Sequence, residues 1–539
     1  MTSDAGPQLD AGEPDAGGPD AGGPDAGGPD AGGLDAGDLD AGGPDWGLDG
    51  GVQIVVDLTP LGAVNRLLLG DNVEWTADAD EWVDASGVPV PLVTAAVLRT
   101  APSLLRYPGG SLADGFHFPS SILPLATRPE GLDGTGKLQP MPLGTGEFLG
   151  LCASIGAGPL FTVNVFSAPV SEAVAWVAWA QDAGLHGAPQ AHYWEVGNEP
   201  YLDNAVYADG GVDTLTPAEF ASRANTFLEQ MRAQDPSIEL SIPIRGDTLN
   251  GVADTQKPGY LDTILSQITV PFDLASVHDG YLPVDLSGTA APSDLYLATV
   301  AGPLVLGEVL DGYRTQLDQA FPQRTVRFAL TEWHDWLSIA LIALVGEDPT
   351  ASIAEQLAAL DTDQQANSPA GAIYTADVLR LLSYRTDVEL ADIWSASDDY
   401  VFGVVNAAGI VRPPGLVLEA VSQVLNGQLL AVSVSGSPTL ATPSVGLVHA
   451  YAAIPAVTAL AAQQDGIVRL LLTNKDPDNF ITIRLSSCAG SFASVTARAL
   501  TAPGPLDHSE TSELTWSDVA VTDGLLTLLP HSVTRIDAQ

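Results

Sequence analysis

The chain has 539 residues, of which 45% are hydrophobic and 16% charged, so length and composition predict a large globular protein with more than one domain. It carries 67 acidic against 20 basic residues, for a formal net charge of -47. A field of this sign repels nucleic acid and anionic membranes, and no apolar run reaches the ~18 to 20 residues of a membrane helix. We therefore expect a neutral or cationic partner, with no nucleic-acid binding and no membrane insertion.

The first 50 residues repeat Asp-Ala-Gly-Gly-Pro and contain no Lys or Arg. Because glycine and proline are abundant and apolar residues almost absent, this segment cannot bury enough surface to offset its ordering entropy. We predict that residues 1–50 are a disordered, acidic, low-complexity spacer. Such spacers resemble the stalks that hold bacterial secreted enzymes away from a cell surface, so we expect an extracellular or cell-surface-tethered protein.

Short apolar runs alternate with amphipathic segments over residues 67–410. The predicted strands are 66–70, 103–109, 159–166, 192–199, 238–244, 273–281, 327–333 and 388–397. Helical periodicity follows most of them, for example at 147–157 and 171–184, and a Thr-Pro-x-Glu start marks a helix at 216–234. Alternating strands and helices of this number predict an α/β fold, a (β/α)8 TIM barrel, whose catalytic side chains stand at the C-terminal ends of its strands.

After residue 410 the pattern changes to short strands separated by turn residues. We predict an appended β-sandwich over 411–539, and we expect the strand segment 51–66 to pair with it. The two cysteines, Cys152 and Cys488, lie in different predicted domains. Neither a disulfide framework nor a cysteine metal site is therefore expected, and each cysteine is predicted to be a small buried hydrophobe.

Two glutamates close predicted strands: Glu199 ends the fourth, in HYWEVGNEPYL, and Glu332 ends the seventh, in RFALTEW. Aromatic residues border both of them. Aromatic faces stack on the C–H faces of sugar rings, and a carboxylate pair can cleave a glycosidic bond, one group protonating the leaving oxygen while the other attacks the anomeric carbon or activates water. A lone loop glutamate is usually a solvated carboxylate, but two in this setting favour glycosidic chemistry.

These two segments resemble the acid/base and nucleophile motifs of the clan A retaining glycoside hydrolases: GNEP at 197–200 and TEW at 331–333. Further segments narrow the resemblance to family 51, the α-L-arabinofuranosidases: LLRYPGGSLADGFHF (104–118), LGTGEFLGLCASIGAGPLFTVNV (143–165), SVHDGYLP (276–283) and LLPHSVTRI (528–536). The resemblance spans residues 52–539. It implies the same barrel with an appended sandwich, and it suggests a homo-oligomer.

The resemblance implies a role for each matching residue. Glu199 would be the general acid/base and Glu332 the nucleophile, with carboxyl groups about 5 to 5.5 Å apart, Glu199 protonated and Glu332 ionised. Asn198 would donate to the sugar 2-hydroxyl, and Arg106 would orient the nucleophile and keep it ionised. Further residues would bind the substrate: Glu74, His278, Tyr281 and Trp333. Because carboxylates supply both proton transfer and attack, neither a cofactor nor a metal is expected.

Four departures from the family pattern concern sugar recognition. Ser111 stands where Asn is usual, Gly280 where Tyr is typical, Pro200 follows the acid/base, and the eighth-strand Gln has no clear match, with Trp394 nearby. The first hypothesis is a non-reducing-end α-L-arabinofuranosidase acting on plant-type polysaccharides. The alternatives are another clan A retaining glycosidase (a β-xylosidase, β-glucosidase or endo-glucanase) and a non-catalytic carbohydrate-binding protein. Each has a carbohydrate as its partner.

Overall fold

The computed structural model describes residues 51–76, 81–132, 138–202, 214–249, 251–253, 256–285, 287–338, 365–398 and 401–539. The predicted spacer at 1–50 lies outside these residues. The helices are α1 (Pro91–Thr100), α2 (Phe118–Ser121), α3 (Thr145–Ile155), α4 (Val170–Leu185), α5 (Pro217–Gln234), α6 (Tyr260–Gln267), α7 (Pro292–Ala320), α8 (Pro369–Ser383) and α9 (Pro413–Val424).

The strands fall into two large sheets and three short hairpins. In chain order they are β1 (Val52–Ala63), β2 (Gly70–Asn72), β3 (Leu104–Tyr107), β4 (Gly131–Leu132), β5 (Leu138–Gln139), β6 (Gly158–Val163), β7 (Tyr193–Val196), β8 (Glu239–Pro243), β9 (Thr248–Leu249), β10 (Val252–Ala253), β11 (Leu274–Ser276), β12 (Gly280–Asp285), β13 (Arg327–Ser338), β14 (Val388–Ile393), β15 (Gln428–Ser435), β16 (Thr439–Thr442), β17 (Tyr451–Pro455), β18 (Val457–Gln464), β19 (Ile467–Asn474), β20 (Ile481–Ser487), β21 (Val495–Leu500), β22 (Ser517–Val519), β23 (Val521–Thr522), β24 (Leu525–Leu528) and β25 (Ser532–Ala538).

Eight parallel strands close into a barrel, in the order β2, β3, β6, β7, β8, β11, β13, β14 and back to β2. The predicted (β/α)8 barrel is therefore confirmed, and every predicted run overlaps one of these strands. The first run is displaced by a few residues. Residues 66–68 form a 3-10 turn, because the Asn65 side chain accepts a hydrogen bond from the Leu67 amide, and the strand begins only at Gly70.

Helix α5 shows how local sequence fixes the barrel's outer layer. The Thr216 hydroxyl accepts a hydrogen bond from the Glu219 amide, and the Glu219 carboxylate accepts one from the Thr216 amide. This capping box, with Pro217 at the first helical position, satisfies amides that the helix itself leaves unpaired. The apolar face that the cap orients is buried against the barrel: Phe220, Ala221, Ala224, Phe227, Leu228 and Met231. The predicted helix start is confirmed.

The C-terminal region forms a ten-stranded, mostly antiparallel sheet in the order β22-β21-β25-β19-β18-β15-β1-β20-β24-β23. Strand β1 runs antiparallel to β15 and parallel to β20. Its alternate residues Val52, Ile54 and Val56 are buried in the apolar core of this domain. The segment that precedes the barrel in sequence is thus built into the sheet that follows it.

The two cysteines are both free. Cys152 lies on α3 and is buried, as predicted. Cys488 is exposed, so its prediction as a buried hydrophobe is wrong. The reason is local: Cys488 directly follows β20, where the chain leaves the sheet and turns at the surface.

A buried ion cluster joins the barrel to the terminal sheet. Asp377 on α8 pairs with Lys475, which follows β19, and both side chains are fully buried. Asp377 Oδ1 also lies 2.5 Å from Arg380 Nε and accepts a hydrogen bond from Thr458 Oγ1 at 2.8 Å. Burial alone would raise the pKa of Asp377, but Arg380 and Lys475 lower it below its usual range. The carboxylate is therefore ionised and shared between the two domains.

Replacing Asp377 by alanine should destabilise the whole chain. The substitution leaves the Lys475 ammonium buried without its carboxylate, and breaking a buried pair in this way typically costs about 3 to 5 kcal/mol. Chemical unfolding should show this loss, whereas Asp318→Ala, which removes the exposed partner of a helical ion pair with Arg314, should cost less than about 1 kcal/mol. Equal stability of the two variants would show that the cluster does not stabilise the chain.

Candidate active site

The two predicted catalytic carboxylates stand at the same end of the barrel. Gly197 follows β7 with φ 87°, and a Cβ there would lie 2.6 Å from Val165 Cγ2, so only glycine allows the chain to turn at this point. Glu199 is itself left-handed, with φ 37°. This turn carries Glu199 over the barrel mouth toward Glu332 on β13. Oxygens of the two carboxylates and a ring nitrogen of His278 all lie within 4.8 Å of one another.

Arg106 on β3 orients Glu332, the nucleophile candidate, by a hydrogen bond. Its Nη1 donates to Glu332 Oε1 at 2.8 Å and to Asn72 Oδ1 at 2.9 Å, and its Nη2 donates to Asn198 Oδ1 at 2.8 Å. Its Nε donates to Glu195 Oε2, also at 2.8 Å. Burial alone would lower the pKa of Arg106, but Glu195 and Glu332 raise it above its usual value. The guanidinium is thus a permanent cation that fixes one oxygen of Glu332.

The second oxygen of Glu332 is held by Tyr281, whose hydroxyl donates to Oε2 at 2.9 Å. This contact explains the departure at Gly280. A Cβ at Gly280 would lie 2.5 Å from Trp333 Cβ, so the chain accepts only glycine at the position where tyrosine was expected. The next residue supplies the hydroxyl instead. The nucleophile candidate therefore accepts a hydrogen bond on each oxygen.

The two polar atoms of the Asn198 amide differ in their hydrogen bonds. Its oxygen accepts from Arg106, which fixes the orientation of the amide. Its nitrogen, Nδ2, is buried and makes no hydrogen bond to any residue that the structure describes. A buried donor without a partner is costly, so it is suited to an acceptor that arrives with a ligand. This geometry fits the predicted contact with a sugar hydroxyl.

His278 lies between the two carboxylates. Its Nδ1 is 3.1 Å from Glu199 Oε1 and 3.7 Å from Glu332 Oε1. Glu199 Oε1 also accepts from the Tyr201 hydroxyl at 2.9 Å and lies 3.9 Å from Arg245 Nη1. The acid/base candidate is therefore surrounded by donors and positive charge.

These neighbours shift the pKa values of the pair in a direction that we did not expect. Burial alone would raise the pKa of Glu199, but the hydrogen bond and charge of His278, with Arg245, outweigh it and lower that pKa to about 2. Burial raises the pKa of Glu332, and the Glu199 charge adds to this effect against His278 and Arg106. The pKa of Glu199 is therefore lowered and that of Glu332 raised, the reverse of the expected order.

A cavity of about 400 Å³ opens above the carboxylates. Its walls are Glu74, Gly110, Ser111, Leu112, Glu199, Leu202, Arg245, Asp279, Tyr281, Val284, Glu332, Trp336, Trp394, Phe402 and Leu447. Of the predicted substrate-binding residues, Glu74 and Tyr281 line it, while three others are buried and do not line it: Asn198, Arg106 and His278. The terminal domain contributes Leu447, whose amide donates to Pro283 O at 2.7 Å.

Trp333 is not part of this pocket. Its side chain is fully buried and belongs to the core behind the barrel. The pairing of β13 with β14 shifts register between Leu330 and Trp333, and past this irregularity Glu332 reaches Arg106 while Trp333 packs into the apolar core. Trp336, further along the same strand, lines the cavity and packs edge-on against Tyr281 and Phe402. Tyr281, which was predicted, and Trp336, Trp394 and Phe402 are the aromatic residues of the cavity wall, and Trp333 is not among them.

Several site residues were not predicted from the sequence, although the sequence position of two of them indicated a role in the site. Glu195 lies inside a buried strand, and a buried carboxylate needs a cationic partner, which is Arg106. Arg245 follows β8 at the catalytic end of the barrel, where functional side chains are expected. Asp279, which lies 3.4 Å from Arg245 Nε, and Thr331 gave no signal before the structure placed them.

Glu199, His278 and Glu332 offer three atoms in a geometry that could hold a metal ion. Their donor set argues against this role. Glu332 Oε1 already accepts from the Arg106 cation, and Glu199 Oε1 accepts from Tyr201 and lies against His278. A divalent ion would have to displace these donors beside a fixed positive charge. We therefore do not assign the three residues as metal ligands.

The relatives of this chain are glycoside hydrolases, and an eight-stranded barrel with a carboxylate pair at its catalytic end fits this class. No protein-family model matches the chain. An intracellular exo-α-L-arabinofuranosidase of Bacteroides ovatus is 23% identical over 411 residues, covering 71% of this chain and 72% of that protein. The α-L-arabinofuranosidase C of Emericella nidulans is 25% identical over 279 residues, covering 47% of this chain and 52% of the relative.

Among solved structures, AbfB, a family 51 α-L-arabinofuranosidase from Bifidobacterium longum, superposes with a TM-score of 0.71 at 18% identity. The match covers 91% of this chain and 99% of that one, which shows a shared fold over the barrel and the terminal sheet. The resemblance to family 51 that the motifs indicated is therefore confirmed. The match to the fungal relative spans about half of that protein's length.

Proposed function

We propose that this chain is a retaining α-L-arabinofuranosidase that removes single residues from the non-reducing ends of plant-type polysaccharides. One observation carries the proposal: an oxygen of Glu199 lies within 4.8 Å of an oxygen of Glu332. Inverting enzymes keep their carboxyl groups about 6.5 to 9.5 Å apart to admit a water molecule, whereas retaining enzymes bring them to about 5 to 5.5 Å. The short separation favours direct attack by one carboxylate.

In the first step Glu332 attacks the anomeric carbon while Glu199 protonates the departing oxygen. Arg106 and Tyr281 hold the two oxygens of Glu332, so the nucleophile reaches the sugar in one orientation. The C–O bond to the leaving group breaks and a glycosyl–Glu332 ester forms. In the second step Glu199 takes a proton from water, the water oxygen bonds to the anomeric carbon, and Glu332 leaves.

The identity of the sugar rests on two supports. The curated relatives described above are named α-L-arabinofuranosidases, and one is named as exo-acting. The cavity is small, at about 400 Å³, which suits a terminal residue rather than a long chain. Glu74 and the free Nδ2 of Asn198 are the polar groups that we expect to contact the sugar hydroxyls.

A panel of aryl glycosides tests this proposal. We expect nitrophenol release from the α-L-arabinofuranoside and little or none from the β-xyloside, β-glucoside or α-L-arabinopyranoside. Release from a β-glycoside alone would favour a different clan A enzyme, and binding without release would favour a carbohydrate-binding protein. The product profile on arabinan and arabinoxylan separates exo from endo action, because an exo enzyme liberates arabinose and no oligosaccharides.

The acid limb in the pH profile of kcat/KM should lie at a higher pH than an ordinary glutamate would give. Glu332 must be ionised to attack, and burial raises its pKa above the usual 4.5. As the pH falls through this raised value, the nucleophile becomes protonated and kcat/KM declines. The acid limb of kcat/KM should therefore lie above pH 4.5. A limb clearly below that value would show that Arg106 and His278 outweigh the burial of Glu332.

We also propose that the enzyme acts outside the cell, because residues 1–50 resemble the spacer of a secreted or tethered protein. Fractionation of the native host, followed by detection of the chain in cells and medium, tests this location. Exclusive recovery from the cytosol would contradict it.

A further inference from the structure

A chain of buried hydrogen bonds leads from the acid/base candidate into the barrel core. His278 Nδ1 faces Glu199 Oε1 at 3.1 Å, and His278 Nε2 faces Thr331 Oγ1 at 2.9 Å. The Thr331 hydroxyl donates to Glu195 Oε1 at 2.7 Å. Every inner member of this relay is fully buried: Glu195, Thr331 and His278. The relay therefore has one end at the reacting groups and the other in the core.

The direction of each hydrogen bond follows from the buried end. Glu195 Oε2 lies 2.7 Å from Arg106 Nη2 and also accepts from Thr162, so this carboxylate is ionised and can only accept. Thr331 must then give its single proton to Glu195, and its oxygen is left to accept. His278 Nε2 must consequently carry a hydrogen. The relay fixes the tautomer of the ring and leaves Nδ1 as the nitrogen that can gain or lose a proton.

We infer that His278 and Glu199 share one catalytic proton across the contact between Nδ1 and Oε1, with Thr331 and Glu195 as positioning residues that keep Nδ1 available. The inference rests on the proposed function and deepens it. It identifies where the proton of the general acid resides before the substrate arrives. His278 would thereby act on the reaction through Glu199 rather than by touching the sugar.

The proton count balances over the cycle. In the resting site the proton sits on His278 Nδ1 and Glu199 is ionised. During glycosylation it passes to Glu199 and then to the glycosidic oxygen as that C–O bond breaks, leaving His278 neutral. During deglycosylation Glu199 takes a proton from the attacking water and returns it to His278 Nδ1. No oxidant, metal or further reactant is needed.

The charges around His278 agree with this assignment. Three carboxylates approach the ring, with Glu199 and Glu332 at Nδ1 and Glu195 at 3.9 Å from Nε2. Arg106 and Arg245 oppose them, but each is already paired with a carboxylate. Burial alone would lower the pKa of His278, yet Glu332 and Glu199 raise it above its usual value. A resting imidazolium between two carboxylates is the expected state.

Histidine NMR on the wild-type chain tests the relay without any change to the core. With ¹⁵N-labelled imidazoles, and with a His278→Asn variant to assign the signal, Nε2 should be protonated throughout and Nδ1 should titrate above pH 6.5. A neutral ring protonated on Nδ1, or a titration below that value, would overturn the inference. This measurement needs no substrate, so it stands even if the proposed activity fails.

A matched pair of variants tests the catalytic consequence. Thr331→Val removes the acceptor for Nε2–H while keeping the side-chain shape, and Thr331→Ser restores a hydroxyl. Loss of a hydrogen bond to a charged group should move the alkaline limb of kcat/KM about one pH unit lower for a substrate with a poor leaving group. A dinitrophenyl substrate, which needs no acid, should show no such shift, and serine should return the limb toward the wild-type position.

The leaving-group comparison separates this role from a structural one. A merely structural effect would reduce kcat/KM for both substrates by the same factor and leave the limb unmoved, and that result would overturn the relay. If the wild type hydrolyses the arabinofuranoside but the alkaline limb of kcat/KM is unshifted in Thr331→Val, the relay is refuted and the proposed function stands. Absence of any glycosidase activity in wild type refutes the proposed function, and the NMR titration then decides the relay.

Discussion

Replacing Glu332 by alanine should reduce kcat by about 10⁴- to 10⁶-fold, the loss typical when a nucleophile is removed. The substitution deletes the group that forms the covalent intermediate. It also leaves Arg106 and the Tyr281 hydroxyl, each of which donates to one oxygen of Glu332, without that acceptor. We expect the remaining activity on an aryl α-L-arabinofuranoside to come from the general acid and substrate binding alone.

Azide should restore turnover of the Glu332→Ala variant, because the small anion can occupy the vacated carboxylate position and attack the anomeric carbon directly. The product should be the β-L-arabinofuranosyl azide, inverted relative to the α substrate. Glu308→Ala, which removes an exposed glutamate that does not line the cavity, should match wild type. A retained azide product, or ordinary activity in Glu332→Ala, would show that another group is the nucleophile.

Glu199→Ala should have an effect that depends on the leaving group. A positioned general acid contributes about 10²- to 10⁴-fold, so a substrate with a poor leaving group should lose that factor in kcat/KM. A dinitrophenyl glycoside needs no protonation and should be glycosylated at nearly the wild-type rate. Deglycosylation still requires Glu199 as a base, so the glycosyl-enzyme should accumulate and appear as a burst of dinitrophenol.

Azide again gives a distinct result for this variant. In Glu199→Ala it should replace water in the second step and give the α-L-arabinofuranosyl azide, with retained configuration. The two azide products, inverted for one variant and retained for the other, assign the two roles independently. An equal loss for good and poor leaving groups in Glu199→Ala would remove Glu199 from the acid/base role.

Much of the architecture was predictable because it depends on local periodicity. The eight apolar runs and the Thr216 cap mark strands and a helix with short-range signals, and the barrel follows from their alternation. The placement of Glu199 and Glu332 also followed, since both close predicted strands, although β13 continues beyond Glu332 to Ser338. These features require no knowledge of which strands become neighbours.

The support around the carboxylates could not be predicted, because it joins residues that are distant in sequence. Arg106 reaches Glu195, Asn198 and Glu332 from one position in the barrel, and this is visible only once β3, β7 and β13 are arranged in space. The position of Trp333 was missed because it depends on an irregularity of β13, whose register against β14 shifts between Leu330 and Trp333. The displacement of the resting proton toward His278 required the distances themselves.

The stereochemistry of the first-formed product tests the central claim most directly. Hydrolysis of an aryl α-L-arabinofuranoside can be followed by ¹H NMR, which reports the anomeric configuration of the product before mutarotation interferes. The same reaction in the presence of methanol gives a methyl glycoside whose configuration does not change. The short separation of Glu199 and Glu332 predicts the α anomer and methyl α-L-arabinofuranoside. Formation of the β anomer, or no release of arabinose at all, would contradict the account.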